Sequence, residues 1–135
     1  MKRPREEAQR WLDQARHNLE VAKSLNSQKF YSDACFMSEQ AAQVALKAFL
    51  YLKGERFVTA HSVAELVMMC QAHSQEFAPL LNAGKMLDKY YIPTRYPDAL
   101  APPAVPYKTY TSEEAQKALQ QAENIVELVE KKIIS

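Results

Sequence analysis

The sequence predicts an all-α protein: an up-and-down bundle of four or five helices, with one ordered loop rich in proline and tyrosine before the last helix. Apolar residues recur at steps of three and four along most of the chain, which is the spacing of one helix face. No stretch shows the alternation of polar and apolar residues that is typical of a half-buried strand. With 135 residues, the chain has the size of one domain, and we expect residues 1–135 to form a single helical domain.

The first helix is predicted from about Arg5 to Leu25. Pro4 suits the first turn of a helix, and the acidic Glu6 and Glu7 follow where the helix dipole favours negative charge. A short polar turn then leads into the next helix, which predicts an antiparallel helical hairpin. The apolar face of the first helix is formed by Trp11, Leu12, Ala15, Leu19, Ala22 and Leu25.

The second helix, from Phe30 to Leu52, is apolar around most of its circumference and is predicted to be the central helix of the bundle. Gly54 is well placed to terminate it as a C-terminal cap. A narrow polar strip should be the part of this helix that faces water, unless it faces a dimer partner or a bound anion. The strip consists of Asp33, Glu39, Gln40, Gln43 and Lys47.

The second half of the chain is predicted to contain shorter helices and one long one. A third helix opens at Thr59 or His61, and a further helical stretch over residues 77–90 is interrupted by Pro79 and Gly84. The last helix is long and amphipathic, and it begins at a capping box that Thr111 forms with Glu114. Basic residues outnumber acidic ones in the first 30 residues, and acidic residues outnumber basic ones in the last 25, so the terminal helices can lie side by side.

Between these helices, residues 91–110 contain five of the seven prolines of the chain, which excludes regular helix there. Most of the tyrosines lie within or beside the same segment, so we expect an ordered loop. Ordered loops of this length are often functional. Alternatively, the tyrosines only hold the loop against the bundle.

Composition excludes several classes of protein. The net charge of +1 does not indicate a nucleic-acid-binding protein by bulk electrostatics. Two glycines are too few for a phosphate-binding loop or a dinucleotide fingerprint. Cys35 and Cys70 lie in apolar helical patterns and are predicted to be core residues, and no metal-ligand motif is present, so we expect no metal and no cofactor. Without a signal peptide or a membrane-spanning run, we expect a soluble cytoplasmic protein with no membrane contact.

Arg56 and His61, separated by four residues, are weak candidates for catalysis. A histidine can move a proton during phosphodiester chemistry while an arginine stabilises the charged transition state. Such a pair also occurs by chance, and the alternative is that His61 begins a helix or packs beside the loop. The pair is equally a candidate for binding a phosphate.

A second candidate is the segment Thr94–Asp98, in which Arg95 is flanked by Tyr96 and by prolines on either side. An arginine held in this way can bind a phosphate through two hydrogen bonds while a tyrosine ring stacks on a base. The alternative is an ion pair between Arg95 and Asp98 that only fixes the turn. Lys47 is a further possible phosphate contact.

Five segments, in the same order and over essentially the whole chain, resemble the HEPN domain (higher eukaryotes and prokaryotes nucleotide-binding). They are Trp11–Ala22, Phe30–Phe36, Glu39–Ala48, Thr59–Val63 and Thr94–Asp98. The resemblance implies a helical bundle that forms a homodimer and binds a nucleotide such as ATP or GTP, or RNA. It also implies a partner, either a minimal nucleotidyltransferase in a toxin–antitoxin-like pair or a larger chaperone-like assembly.

Some branches of this family are metal-independent ribonucleases that use an Arg-x4–6-His motif, with two copies of the motif meeting across the dimer interface. Arg56 and His61 fit that spacing, but catalytic branches usually place a polar residue directly after the arginine, where this chain has Phe57. The resemblance therefore implies a binding module that does not catalyse a reaction by itself. The alternatives are a ribonuclease that uses Arg56 and His61, and a domain whose only role is dimerisation.

Overall fold

The computed structural model describes residues 3–92 and 94–134, and its secondary structure over these residues is helical, which confirms the predicted all-α class. Pro93, one of the prolines of the predicted loop, lies outside the described residues. The α-helices are α1 (Pro4–Ser27), α2 (Tyr31–Leu52), α3 (Val63–Gln71), α4 (Leu81–Asp88), α5 (Pro106–Thr109) and α6 (Ser112–Ile134), and two 3-10 helices cover Gln75–Leu80 and Pro97–Ala99.

Helices α1, α2 and α6 pack together as the long part of the bundle, and α3 and α4 pack at its side. The basic first helix and the acidic last helix do lie side by side. Arg16 Nη2 lies 3.2 Å from Glu130 Oε2, and Arg5 Nη1 donates a hydrogen bond to the carbonyl of Ile133 at 2.7 Å. Because the first pair is partly exposed, it contributes at most about 1 kcal/mol, and the buried apolar faces stabilise the packing.

Helix α2 is central, as predicted, but two expectations about its surface were wrong. The polar strip does not face water over most of its length, because Glu39 is fully buried, Gln43 is 5% exposed and Lys47 is 7% exposed. Phe30 precedes the helix as its N-cap residue and is 52% exposed, so it lies outside the apolar face. Gly54 follows the helix with a φ of +89°, the left-handed conformation expected of a glycine cap.

Helix α3 begins at Val63, later than predicted, because Ser62 is its N-cap residue and accepts a hydrogen bond from the Glu65 amide. Pro79 does separate two helical segments. Gly84, however, does not interrupt α4. A Cβ atom at this glycine would lie 2.9 Å from backbone atoms of Ala64, so its role is to let α4 approach the start of α3.

The segment before α6 is mainly irregular, but the expectation that prolines exclude helix there was too strict. Pro97 and Pro106 each start a short helix, since proline is compatible with the first helical turn. Tyr90 is 6% exposed and meets the ring of Tyr110 edge-on, with 5.8 Å between centroids, so these tyrosines hold the two ends of the segment together. The capping box of Thr111 at the start of α6 is present.

The core is formed by apolar side chains from α1, α2, α3, α4 and α6, and both free cysteines, Cys35 and Cys70, are buried in it as predicted. Burial raises the pKa of the Cys35 thiol to about 12. Among residues 3–92 and 94–134, no helix has both the length and the apolar character that are needed to cross a membrane.

Candidate functional site

One face of α2 carries a row of polar side chains that we call the α2 ladder: Glu39, Gln43, Lys47 and Tyr51. The four residues follow at steps of four, so they lie one above another along the helix. The connector of residues 55–62 runs back along this row. It starts beside the end of α2, where the Glu55 amide bonds to the Leu50 carbonyl, and it ends where His61 meets Gln43.

Glu39 is a fully buried carboxylate whose two oxygens are both hydrogen-bonded. Gln40 donates to Oε1 at 2.7 Å, and Gln43 donates to Oε2 at 2.9 Å. Burial, more than any other effect, raises the pKa of this carboxyl from its usual 4.5 to about 7, while the two amide donors act in the opposite direction. Near neutral pH, Glu39 is therefore divided between its neutral and charged forms.

Gln43 connects Glu39 to His61 and favours a proton on one particular nitrogen of the imidazole. Its amide nitrogen faces the Glu39 oxygen, so its carbonyl Oε1 is the atom that lies 3.3 Å from His61 Nδ1. Because a carbonyl only accepts, Nδ1 must be the donor in this contact. The other nitrogen, Nε2, is then available on the surface to accept a proton or, when protonated, to donate to an anion.

Tyr91 lies between the two predicted functional segments and contacts both. The ring of His61 stacks on that of Tyr91, with 5.7 Å between centroids and 13° between planes. The guanidinium carbon of Arg95 lies 5.3 Å from the centroid of the same tyrosine ring. The structure thus brings His61 and Arg95 to one shared aromatic ring.

Arg95 is exposed but held in place. Its guanidinium lies over the rings of Phe36 at 4.3 Å and Tyr96 at 5.0 Å, in addition to Tyr91, and its Nε donates to the Tyr91 carbonyl at 3.1 Å. Among the described residues, neither terminal nitrogen has a hydrogen-bond acceptor, and Arg95 forms no ion pair with Asp98. The group formed by His61, Tyr91, Arg95 and Tyr96 is called the Arg95 site below.

Asp88, at the end of α4, fixes the residue next to His61. It accepts hydrogen bonds from the Ser62 hydroxyl at 2.7 Å and from the amides of Val63 and Ala64 at the start of α3. A carboxylate at this position is favoured by the helix dipole. The backbone that carries His61 is therefore anchored to α4 on one side and to α2 on the other.

Sequence reasoning did not identify the contributions of Phe36, Gln43, Asp88 and Tyr91 to this site. Glu39 and Gln43 were predicted as part of the polar strip on α2 that faces water, a dimer partner or a bound anion. Their spacing of four residues could have indicated a hydrogen-bonded pair. No local signal identifies Asp88 or Phe36, because their partners lie 24 or more residues away in the sequence.

Lys47 lies farther along the ladder and is largely buried, so it is not a surface cation of the Arg95 site. Burial lowers the pKa of its ammonium group, and the charge of Glu39 partly opposes that shift. Its role as a phosphate contact stays a prediction.

Arg56 lies at the opposite end of the ladder from His61. It lines a cavity of about 480 Å³ together with Tyr51 and Phe57, whereas His61 is bonded to Gln43. The step from Gln43 to Tyr51 corresponds to roughly 12 Å along the helix axis. Arg56 and His61, the predicted Arg-x4-His pair, therefore have different neighbours within one chain.

The described residues contain no group of three or more His, Cys, Asp or Glu side chains that could hold a metal ion. The chemistry available at the Arg95 site comes instead from an arginine, an imidazole and aromatic rings. These groups suit an anion that carries a flat ring.

Sequence comparison with known proteins finds matches over most of the chain. A family model described as the HEPN domain matches residues 8–132. The chain is 30% identical to human sacsin over 120 residues, which are 84% of this chain and 3% of sacsin. It is 29% identical over 129 residues to “Putative toxin MJ1304” of Methanocaldococcus jannaschii, which covers 90% of this chain and 85% of that protein.

Two solved structures are similar to this chain in both fold and sequence. TT1696 from Thermus thermophilus superposes with a TM-score of 0.80 at 42% identity, covering 93% of this chain and 97% of that chain. ST0689, described as an archaeal HEPN homologue, gives a TM-score of 0.77 at 34% identity, covering 98% of this chain and 99% of that one.

Proposed function

This chain belongs to the HEPN domain family, and we propose that it is a binding module for the phosphate groups of nucleotides or RNA, with Arg95 as the principal contact. His61 donates to the same anion when its imidazole is protonated, and Tyr96 offers a ring on which a base stacks. In this proposal the module binds without catalysing a reaction itself.

The observation that supports this proposal most is the state of the Arg95 guanidinium. Three aromatic rings and one backbone carbonyl fix its position, while its terminal nitrogens have no acceptor among the described residues. An arginine that is fixed in this way loses little side-chain entropy when it binds, and its two outer nitrogens match the oxygens of a phosphate. The nearby carboxyl of Glu39 opposes an anion less than an ordinary glutamate does, because its pKa is raised to about 7.

The proposal includes a homodimer and a partner protein. A minimal nucleotidyltransferase is the proposed partner, in a toxin–antitoxin-like pair, and the similarity to MJ1304 is consistent with that role. The alternative that the family resemblance implies is a larger chaperone-like assembly. Sedimentation of the purified chain tests the dimer, and co-purification with a nucleotidyltransferase encoded beside its gene tests the pair.

The arrangement of Arg56 and His61 gives less support to a ribonuclease. A metal-independent cleavage reaction needs both side chains at the same phosphodiester. Here Arg56 lines the cavity at the end of α2, whereas His61 bonds to Gln43 near the middle of that helix. Incubation with structured RNA and a chelator checks this point, and cleavage that disappears in His61→Ala would favour the enzyme.

The central experiment is calorimetric titration with ATP, GTP and a short single-stranded RNA. We expect Arg95→Ala to weaken binding by about 10- to 100-fold, because hydrogen bonds to charged groups contribute about 1.5–3 kcal/mol. The variant should still fold, with only a small change in melting temperature, since the side chain is exposed.

Arg3→Ala is the matched control, because Arg3 is an exposed arginine at the start of α1 with a partner of its own, Glu6. Binding by this variant should equal that of the unaltered protein. If the unaltered protein releases no heat with any of the three ligands, the proposed phosphate-binding function is wrong.

A further inference from the structure

The cavity beside Arg56 is separate from the Arg95 site and has no role in the function proposed above. It lies where the start of α1 meets the end of α2 and the connector, and its volume of about 480 Å³ is within the usual range for small-ligand sites. Three of its lining side chains are aromatic: Trp11, Tyr51 and Phe57. We call it the aromatic cavity.

Phe57 is the most informative residue of the aromatic cavity. Its side chain is 88% exposed, and its backbone has a φ of +54°, in the left-handed region that bulky residues rarely adopt. Neither property stabilises the fold, because an exposed ring buries little apolar surface and a left-handed backbone is strained. An aromatic residue that is both strained and exposed at a cavity indicates a functional role.

The charged side chains of the aromatic cavity differ in whether they have partners. Its two carboxylates are already engaged, Glu7 with Arg10 and Glu55 with His73, each at 2.8 Å. Arg56, in contrast, has no hydrogen-bond, ion-pair or ring partner in the part of the chain that the structure describes. Aromatic walls with an unpaired arginine at the edge suit a flat ring that is attached to a negatively charged group.

We propose that the aromatic cavity is a base-binding subsite for single-stranded RNA, in which one unpaired base stacks on Phe57 and an adjacent phosphate lies on Arg56. The strand continues along the connector to the Arg95 site, so this proposal rests on the phosphate binding proposed above. Gln43 and Tyr51, which mark the two sites on α2, are roughly 12 Å apart along the helix axis, a distance that a short single strand can span.

Trp11 makes the subsite directly observable, because it is the single tryptophan of the chain and lines the aromatic cavity. We would titrate the full chain with tetra-adenylate and, separately, with adenosine monophosphate while following tryptophan fluorescence. Tetra-adenylate should change the fluorescence and bind at least tenfold more tightly than the mononucleotide, since it reaches both sites at once.

Three variants test which residues are responsible for tetra-adenylate binding and for the fluorescence change. Phe57→Ala should weaken tetra-adenylate binding by about five- to a hundredfold, the range for losing one stacked base. Tyr107→Ala, which removes another exposed aromatic ring outside the cavity, should leave binding unchanged. Arg95→Ala should weaken tetra-adenylate binding and leave the fluorescence change at saturation intact.

The outcomes separate the two proposals. A fluorescence response that depends on Phe57 but not on Arg95 supports the base subsite and contradicts the phosphate site at Arg95. Binding that depends on Arg95, with no fluorescence change and no effect of Phe57→Ala, overturns the base subsite alone. If Phe57→Ala instead changes the sedimentation of the free protein and leaves RNA binding unaltered, a second copy of the chain occupies the cavity, and the base subsite is also overturned.

Discussion

The two ends of the α2 ladder are built in opposite ways. At the Arg95 site, buried polar groups hold the functional side chains: Glu39 orients Gln43, and Gln43 orients His61. At the aromatic cavity the exposed groups have little such support, since Phe57 is strained and Arg56 has no partner among the described residues. Both ends lie on the same helix and are joined by the same connector.

This difference suggests a division of roles. Groups that are hydrogen-bonded from beneath keep one geometry in the free protein, which suits the recognition of a compact anion. A ring on a strained loop can adapt to different bases, and base stacking tolerates any sequence. Removing the buried hydrogen-bonding groups should therefore affect the Arg95 site. Relieving the backbone strain at Phe57 should affect the aromatic cavity.

The largest expected effect concerns Glu39 and pH. Between pH 4.5 and about 7 the folded protein keeps a proton on this carboxyl that the unfolded chain has released. Stability contributed by this group therefore falls as the pH rises through that window. In Glu39→Gln that loss is absent. From pH 5 to pH 8 the variant should thus gain about 2 kcal/mol relative to the unaltered protein.

Urea denaturation at both pH values measures this difference, and Glu20→Gln, which changes an exposed carboxylate on α1, is the control. An equal stability difference between Glu39→Gln and the unaltered protein at pH 5 and pH 8 would show that the buried carboxyl does not titrate in this range.

A smaller effect is expected at Phe57. Phe57→Gly removes the cost of a left-handed backbone and should stabilise the protein by about 0.5–1 kcal/mol, after allowing for the greater freedom of glycine in the unfolded chain. The same change should weaken tetra-adenylate binding, so stability and binding move in opposite directions. Thermal unfolding and fluorescence titration measure the two quantities.

Lys29→Gly is the matched control for Phe57, because Lys29 also has a positive φ, +70°, in the turn between α1 and α2. It should stabilise the fold by a similar amount without altering RNA binding. Loss of binding in both glycine variants would contradict a specific role for the Phe57 ring.

The smallest effect is on the proton of His61. The contact with Gln43 should favour the form of the neutral ring that carries its proton on Nδ1, and at 3.3 Å this weak hydrogen bond contributes about 0.5 kcal/mol. Nitrogen NMR shifts of the imidazole should therefore show the Nδ1–H form in larger proportion than in Gln43→Met. His17, on the exposed face of α1, serves as the reference ring, and identical tautomer ratios for His61 in both proteins would rule out this role of Gln43.

Much of the fold could be predicted from the sequence, because the signals are local. The periodicity of α1, α2 and α6, the Thr111 capping box and the glycine cap at Gly54 each depend on residues within a few positions of one another. The predictions were wrong where a contact between residues distant in sequence determined the structure. Gly84 stays within its helix because the backbone of Ala64 lies against it, which no local pattern indicates.

Individual candidate residues of the site could be predicted from the sequence, but their arrangement could not. The sequence by itself pointed to Arg95 and Tyr96 as charged and aromatic residues in a proline-rich loop, and to Arg56 and His61 by their spacing. Tertiary structure alone decided that His61 and Arg95 share the ring of Tyr91, that Glu39 is buried beneath them, and that Arg56 faces a separate cavity. The physical reason is that burial, pKa and side-chain pairing depend on which helices pack together, and sequence spacing does not record that.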